Sequence, residues 1–83
     1  MKITVYSKNA CQPCTATKRK LAVLGLDYVE VNVDEQPEHR DALIARGFTA
    51  SPVVDVERAG PEVGPVVESW SGYRPDLLEG LRA

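Results

Sequence analysis

Two cysteines, separated by two residues, lie where the chain changes from a strand pattern to a helix pattern. Residues 2–6 alternate between apolar and polar side chains, as a half-buried strand does. Beyond them, small or apolar residues recur at spacings of three and four, which predicts a helix over residues 12–24 with one buried stripe: Cys14, Thr17, Leu21 and Leu24. A strand must therefore lead into Cys11, and a helix must carry Cys14.

A second strand and a second helix follow. Residues 28–33 alternate again, with Val29, Val31 and Val33 on one side. The segment DEQPEHRDALIARGF, residues 34–48, predicts a helix, because Pro37 suits a first helical turn and Gly47 is a natural end. Strands separated by helices imply a parallel pair.

The last third of the chain predicts a hairpin and a final helix. Residues 53–56 and 66–68 are two short strand segments, and the glycine–proline pairs at residues 60–61 and 64–65 predict a long turn between them. A helix is expected to begin at Pro75, with an apolar face of Leu77, Leu78 and Leu81. The order β-α-β-α-β-β-α predicts an α/β fold. One domain, residues 1–83, would form a mixed four-stranded sheet covered by three helices.

Length and charge narrow the classes of function. The chain has 83 residues and a net charge of -2, which argues against nucleic acid as the main partner. It has no stretch of about 18 apolar residues that would span a membrane. The first residues lack the apolar core and cleavage site of a signal peptide. We therefore expect a cytoplasmic protein, where a close cysteine pair is more often catalytic or metal-binding than structural.

The placement of the two cysteines favours redox chemistry. Cys11 lies at the start of a helix, where the free backbone N–H groups and the helix dipole favour a thiolate, and Lys8 and Lys18 add positive charge. Cys14 lies one turn further on, in the buried stripe, within reach of a disulfide. We therefore expect Cys11 to be an exposed nucleophile that attacks a target disulfide, and Cys14 to be the shielded thiol that resolves the mixed disulfide.

Other readings of the pair remain open. A structural zinc site needs about four ligands, and the other obvious candidate in this chain is the distant His39. Two chains that share an iron–sulfur cluster or a metal would together supply enough ligands. A structural disulfide across so short a loop would restrain little, and two inert buried thiols are the simplest case. We favour the redox pair because a strand leads into the motif and a helix follows it.

Three segments together resemble the NrdH-type redoxins, small glutaredoxin-like proteins of the thioredoxin superfamily. They are YSKNACQPC, TASPVV and above all WSGYRPD, which closely matches the WSGFRPD motif of that family. The resemblance extends over nearly the whole chain and implies a thioredoxin-like fold. It also implies that the protein donates electrons to the large subunit of class Ib ribonucleotide reductase and receives them from thioredoxin reductase, ultimately from NADPH. A monomer with no bound cofactor and no metal is expected.

The resemblance also implies a role for Pro52. It matches the cis-proline that faces the cysteine motif in this superfamily, and X–Pro bonds are the ones that adopt the cis form at low cost. A cis Ser51–Pro52 bond would turn the backbone of Ser51 toward the cysteines, where it would pair with an extended segment of the partner. Without the family, a trans proline at the start of an edge strand is the simpler interpretation.

A second implied partner contact is the loop beside the active site. By resemblance to the family this loop consists of Trp70, Ser71 and Gly72, and Arg74 ties it by hydrogen bonds. Each residue also has an ordinary structural interpretation. Trp70 would pack in the core, Gly72 would supply a left-handed or crowded backbone position, and Arg74 would be solvated before a helix. Tyr6 and Phe48 are expected to be core or rim aromatics.

Two features depart from the family pattern. The dipeptide between the cysteines is Gln12-Pro13, whereas the family usually places glutamine second. The proline removes one backbone N–H and stiffens the helix start, so it bears on the redox potential. The segment DVERAGPEVGPVVE is also longer than in family members, which predicts an elongated surface turn.

A glutathione-dependent glutaredoxin is the nearest alternative function, because it would use the same Cys11. Glutaredoxins usually present Thr-Val-Pro and a later Gly-Gly followed by acidic residues. Here the corresponding segments are residues 50–52, Ala-Ser-Pro, and residues 71–74, Ser-Gly-Tyr-Arg. The second difference replaces features expected around the glutathione carboxylate, which favours thioredoxin reductase as the electron source. A module that keeps the fold without redox activity is a further possibility.

Overall fold

The computed structural model describes residues 1–60 and 64–82, and for residues 59, 60 and 64–66 it describes the backbone alone. The elements occur in the predicted order, β-α-β-α-β-β-α. They are β1 (Lys2–Ser7), α1 (Gln12–Val23), β2 (Val29–Asn32), α2 (Pro37–Ala45), β3 (Val53–Gly60), β4 (Gly64–Ser71) and α3 (Pro75–Gly80).

The four strands form one mixed sheet in the order β2-β1-β3-β4. β1 and β2 are parallel, as predicted, and β3 is antiparallel to both β1 and β4. The register places Ser7 beside Asn32, Tyr6 beside Val53, and Val53 beside Ser71. The ends of β1, β2 and β4 therefore meet the start of β3 at one end of the sheet. Since α1 follows β1 there, this end carries the cysteine pair.

Each face of the sheet buries its own cluster of apolar side chains. On the face of α1 and α3, the cluster comprises Ile3, Val5, Leu21, Val54, Val56, Trp70, Leu78 and Leu81. On the opposite face, Leu43 of α2 packs with Val33 and Val53, and the partly buried Tyr6 and Phe48 complete the cluster. The alternation along β1 thus assigns odd residues to one face and even residues to the other, which the period of two predicts.

The helix ends follow the predicted signals. Proline lies in the first turn of all three helices, where its missing N–H costs nothing because that group has no intrahelical partner. Gly25 and Gly47 lie just beyond α1 and α2 with φ of 71° and 93°. This left-handed conformation ends a helix cheaply only for glycine. Three residues of the predicted stripe, Cys14, Thr17 and Leu21, are buried. The fourth, Leu24, lies just beyond the end of α1 and is partly buried.

The predicted long turn of the hairpin is wrong. β3 extends to Gly60 and β4 begins at Gly64, and these two residues are partners in the register. The extra residues of this segment thus lengthen the two strands. Pro65 fits this arrangement because β4 is the edge of the sheet, where a missing backbone N–H need not break a ladder. Pro61, the other proline assigned to the turn, lies outside the described residues.

The second strand is shorter and more exposed than predicted. It comprises Val29–Asn32, and Val29 is 51% exposed although the alternation grouped it with Val33 on one side of the strand. β2 is the other edge of the sheet. Its start is therefore covered less well than its end, where Val33 is 6% exposed.

A polar network attaches the end of α2 to the sheet. The guanidinium of Arg46 donates to both carboxylate oxygens of Asp55 at 3.0 and 3.1 Å, and to the Ser69 hydroxyl at 3.0 Å. The same hydroxyl donates to Asp55 at 2.7 Å. The guanidinium also lies 5.1 Å from the centre of the Phe48 ring. The network thereby secures the start of the segment that leads to Pro52.

Replacing Arg46 with alanine is expected to lower the free energy of unfolding by about 1–2 kcal/mol. The carboxylate of Asp55 is only 18% exposed and would lose a bidentate partner. Arg46→Lys should recover little, because an ammonium cannot reproduce the planar fork. Urea denaturation measures the effect. The matched control is Arg74→Ala, which breaks a pair whose side chains are 51% and 63% exposed. It should leave the midpoint of urea denaturation nearly unchanged, and equal losses in both variants would contradict this assignment.

Candidate active site

Cys11 and Cys14 are joined by a disulfide, with their Cα atoms 5.3 Å apart. Cys11 is the N-cap residue of α1, and its Sγ accepts a hydrogen bond from the Cys14 N–H at 3.2 Å. The carbonyl of Cys11 accepts the N–H of Thr15 at 3.1 Å. The sulfur of Cys11 thus lies where free helix N–H groups and the helix dipole stabilise negative charge.

The exposure of Cys11 differs from the prediction. Its side chain was expected to be exposed, but the residue is 9% exposed, while Cys14 is 1% exposed. The N-cap position explains the difference, because it turns the side chain back onto the first turn of α1. The order of accessibility remains as predicted: Cys11 is the sulfur that a target reaches more easily.

Hydrogen bonds from the end of β2 fix the loop before Cys11. The N–H of Asn9 donates to the Asp34 carboxylate at 2.9 Å, and the Asn32 side chain donates to Asn9 Oδ1 at 2.9 Å. Asn32 also accepts the Asp34 N–H at 2.9 Å. Ala10 adopts φ of 52° between this loop and Cys11, a conformation that is uncommon for a residue other than glycine. The position of the nucleophile is thus set by β2 as well as by α1.

A shallow depression surrounds the cysteines, and we call it the cysteine depression. Its lining residues are Lys8, Asn9, Ala10, Cys11, Gln12, Cys14, Thr15, Lys18, Glu30 and Asn32. Gln12 and Pro13, the residues between the cysteines, are both exposed. Any target that reaches the disulfide at this face therefore meets lysines and one carboxylate as well as sulfur.

Glu30 pairs with Lys18 beside the cysteines. Lys18 Nζ lies 2.8 Å from Glu30 Oε2, and the Ser7 hydroxyl donates to the same oxygen at 2.7 Å. These hydrogen bonds, from Lys18 first and Ser7 second, lower the pKa of Glu30 below its ordinary value. Lys18 was predicted to add positive charge near Cys11. The structure adds a carboxylate from β2, Glu30, that accompanies this charge.

The Ser51–Pro52 peptide bond is cis, as the family resemblance implies. Pro52 is buried, and its carbonyl accepts the N–H of Gly72 at 2.8 Å. Gly72 has φ of 81°, and no atom would obstruct a Cβ there. Glycine is therefore required for its left-handed backbone and not for space. This contact joins the start of β3 to the chain leaving β4, at the end of the sheet that carries the cysteine pair.

The structure corrects two roles assigned to the WSGYRPD segment. Trp70 and Ser71 are not in a loop, because they are the last residues of β4. Trp70 is 8% exposed and packs in the cluster under α1 and α3, so its side chain offers little surface to a partner. Arg74 donates to both carboxylate oxygens of Asp76 at 3.2 and 3.1 Å. Its guanidinium thus pairs within the start of α3 and does not tie residues 70–72.

An apolar groove opens next to the cis-proline. It has a volume of 330 Å³, and its lining residues are Tyr6, Lys8, Val33, Asp34, Arg40, Leu43, Ile44, Phe48, Thr49, Ala50, Ser51 and Val53. Lys8 lines both this groove and the cysteine depression. A partner segment that pairs with Ser51 would therefore have an apolar surface beside it, and Lys8 would connect that surface with the cysteine depression.

Several residues of the site were not predicted from the sequence. Ser7 lies one residue beyond the predicted first strand. Glu30 and Asn32 lie on the second strand, whose pattern suggested only alternation. Asn32 and Asp34 carry one available signal: polar side chains at the end of a parallel strand that lies beside the strand leading to the cysteines. Among residues 1–60 and 64–82, no group of three His, Cys, Asp or Glu side chains is arranged to hold a metal ion. None of the helices in that part of the chain is long and apolar enough to cross a membrane.

Sequence comparisons place the chain among redox proteins. A family model described as glutaredoxin matches residues 3–58. The glutaredoxin-like protein NrdH of Escherichia coli (strain K12) is 43% identical over 81 residues, which cover 98% of this chain and 89% of the relative. The glutaredoxin-like protein NrdH of Lactococcus lactis subsp. cremoris (strain MG1363) is 37% identical over 79 residues, which cover 95% of this chain and 97% of that protein.

Solved structures agree with these relatives. The NrdH-redoxin of Escherichia coli, a glutaredoxin-like protein with a thioredoxin-like activity profile, matches with a TM-score of 0.80 and 44% identity, covering 98% of this chain and 95% of that one. The thioredoxin-like protein BC3987 matches with a TM-score of 0.75 and 26% identity, covering 96% and 99%. The predicted thioredoxin-like fold is thus confirmed. With its two cysteines at disulfide distance, the chain belongs to the NrdH-type, glutaredoxin-like family of thiol–disulfide oxidoreductases.

Proposed function

We propose that the protein donates electrons to class Ib ribonucleotide reductase, through its large subunit, and is itself reduced by thioredoxin reductase with electrons from NADPH. The observation that carries this proposal is the Cys11–Cys14 disulfide at the start of α1, in a chain similar to NrdH proteins over nearly its full length. No cofactor need be bound, because the cysteines themselves hold the electron pair. The protein would act as a monomer in the cytoplasm, where reduced thiols are maintained.

The geometry supports a two-step exchange. The Cys11 thiolate attacks one sulfur of the target disulfide, a mixed disulfide forms, and the other target sulfur leaves as a thiolate that takes up a proton. Cys14 then loses its proton and attacks Cys11 Sγ, which forms the Cys11–Cys14 bond and releases the second target thiolate. Two electrons pass to the target. The difference in exposure between Cys11 and Cys14 favours this order of attack.

One difference from glutaredoxins favours thioredoxin reductase over glutathione as the electron source. Arg74 occupies the segment that corresponds to the glutathione-carboxylate end in glutaredoxins, and its charge is paired with Asp76. The relative from Escherichia coli with a thioredoxin-like activity profile points in the same direction.

A comparison of two electron relays tests this proposal. Oxidation of NADPH is followed with a disulfide substrate, once with thioredoxin reductase and once with glutathione plus glutathione reductase. We expect turnover with thioredoxin reductase and little with glutathione. Cys11→Ser provides the blank in both relays. Turnover through glutathione alone would make the protein a glutaredoxin in function. If the first relay works, class Ib ribonucleotide reductase is supplied as the final acceptor, and failure to form deoxyribonucleotide would remove that partner.

A further inference from the structure

We propose that Glu30 balances the charge of the Lys18 ammonium beside the cysteine depression and thereby sets the acidity of the active-site thiol and the reduction potential of the pair. This inference rests on the thiol–disulfide chemistry of the family. The inference does not depend on which reductase or target the protein serves, so its failure would not contradict the partners proposed above.

The cluster connects three elements around the disulfide. Ser7 ends β1, Lys18 lies on α1 one turn beyond the cysteine motif, and Glu30 lies on β2. Ser7 is 1% exposed, and its hydroxyl directs the carboxylate by donating to Glu30 Oε2. Lys18 donates to the same oxygen. The carboxylate is thus held from two sides, so the opposite charges of Lys18 and Glu30 lie together beside the cysteines.

Few other charges line the same surface. Lys8, Lys18 and Glu30 are the charged residues of the cysteine depression. Asp34 lies next to it and accepts the N–H of Asn9. With Lys18 and Glu30 paired, their net contribution to a thiolate at Cys11 is close to zero. Removing either partner leaves one uncompensated charge beside the sulfur, positive without Glu30 and negative without Lys18.

The sign of each effect follows from the redox couple. The disulfide takes up two electrons and two protons to become two thiols, or one proton fewer where one thiol is ionised. A positive charge nearby stabilises the thiolate, lowers the thiol pKa and stabilises the reduced pair, so the reduction potential becomes less negative. A negative charge has the opposite effect. Because the side chains of Lys18 and Glu30 are 30% and 37% exposed, solvent weakens each effect.

Three variants test the inference: Glu30→Gln, Lys18→Met and the double variant. The rate of alkylation of the reduced protein by iodoacetamide, measured against pH, gives the thiol pKa. Equilibration with a dithiothreitol redox buffer gives the potential. We expect Glu30→Gln to raise the thiolate fraction below the thiol pKa about two- to fivefold, and Lys18→Met to lower it by a similar factor. A threefold change in the redox equilibrium corresponds to about 14 mV.

The double variant separates an electrostatic role from a structural one. If charge is responsible, the single variants shift in opposite directions and the double variant returns close to the wild type. If the pair only stabilises the fold, both single variants change the thiol pKa and the potential in the same direction, because each breaks the same contact. The shifts should also shrink in ~1 M salt, where charges more than about 3 Å apart are strongly screened.

A matched control exists on the same helix. Lys20 Nζ lies 2.7 Å from Glu79 Oε1, so the pair resembles Lys18–Glu30, but it lies outside the cysteine depression. Lys20→Met and Glu79→Gln should leave the thiol pKa and the potential unchanged. Shifts of the same sign in both Lys18 and Glu30 variants, or no larger than in these controls, would overturn the inference. Glu30→Gln keeps the size and an acceptor for Ser7, so loss of folding is not expected to obscure the result.

Discussion

Replacing Cys11 with serine is expected to abolish disulfide reduction completely, while Cys14→Ser should stop turnover after the first step and trap the target. Cys11 is the more accessible residue, and its sulfur accepts the N–H of Cys14 at the start of α1, whereas Cys14 is 1% exposed and resolves the mixed disulfide. Without Cys14, the mixed disulfide at Cys11 has no intramolecular thiol to break it. Non-reducing electrophoresis and mass spectrometry of the adduct measure this outcome.

The control for both cysteine variants is the reduced wild-type protein, which also lacks the disulfide. All three proteins should unfold at similar urea concentrations, because a disulfide across so short a loop restrains the unfolded chain little. An adduct formed by Cys11→Ser through Cys14 would reverse the two roles. Equal turnover in Cys14→Ser and wild type would show that one thiol suffices, as in a monothiol mechanism.

Trp70→Ala is expected to cost about 3–5 kcal/mol of the free energy of unfolding, the range for removing a large aromatic side chain from a core. Trp70 lies on β4 opposite Val54 and packs in the cluster that includes Leu21 and Leu78, both 0% exposed. A small domain has about 5–15 kcal/mol in total, so the variant should be close to unfolding at 37 °C. Urea denaturation at low temperature measures the loss.

Two further variants distinguish core packing from partner contact. Trp70→Phe should cost much less than alanine, because the buried indole Nε1 has no hydrogen-bond partner in the described residues and the phenyl ring fills part of the space. Val23→Ala, at a site that is 72% exposed, should change stability by no more than ~0.5 kcal/mol. A stable Trp70→Ala protein that has lost turnover with its partner would instead make Trp70 a contact residue.

Local patterns were enough to predict the elements and much of the redox site. Alternation in β1, the stripe through Cys14 and Leu21, and prolines at helix starts are properties of neighbouring residues, so they can be recognised without the fold. Turn signals were less reliable. The glycine–proline pairs predicted a long turn, yet Gly60 and Gly64 pair across a continued hairpin, because an edge strand tolerates residues that a central strand does not.

The cis form of Ser51–Pro52 was predicted through family resemblance, since the neighbouring residues alone favoured a trans bond. The same resemblance predicted that Trp70 lies in a contact loop and that Arg74 holds this loop by hydrogen bonds. The sheet register shows instead that Trp70 belongs to a strand. It continues β4 to Ser71, and the period of two then turns Trp70 toward the α1 and α3 face.

By itself, the sequence determined the order of strands and helices, the helix stripe that buries Cys14, and the place of Cys11 at a helix start. Only the tertiary structure decided which charges accompany them. Lys18 meets Glu30 from 12 residues away, and Arg46 meets Ser69 from 23 residues away. Such pairs depend on strand order and register, which bring distant segments together. No local periodicity records which side chains will then face each other across the sheet and its helices.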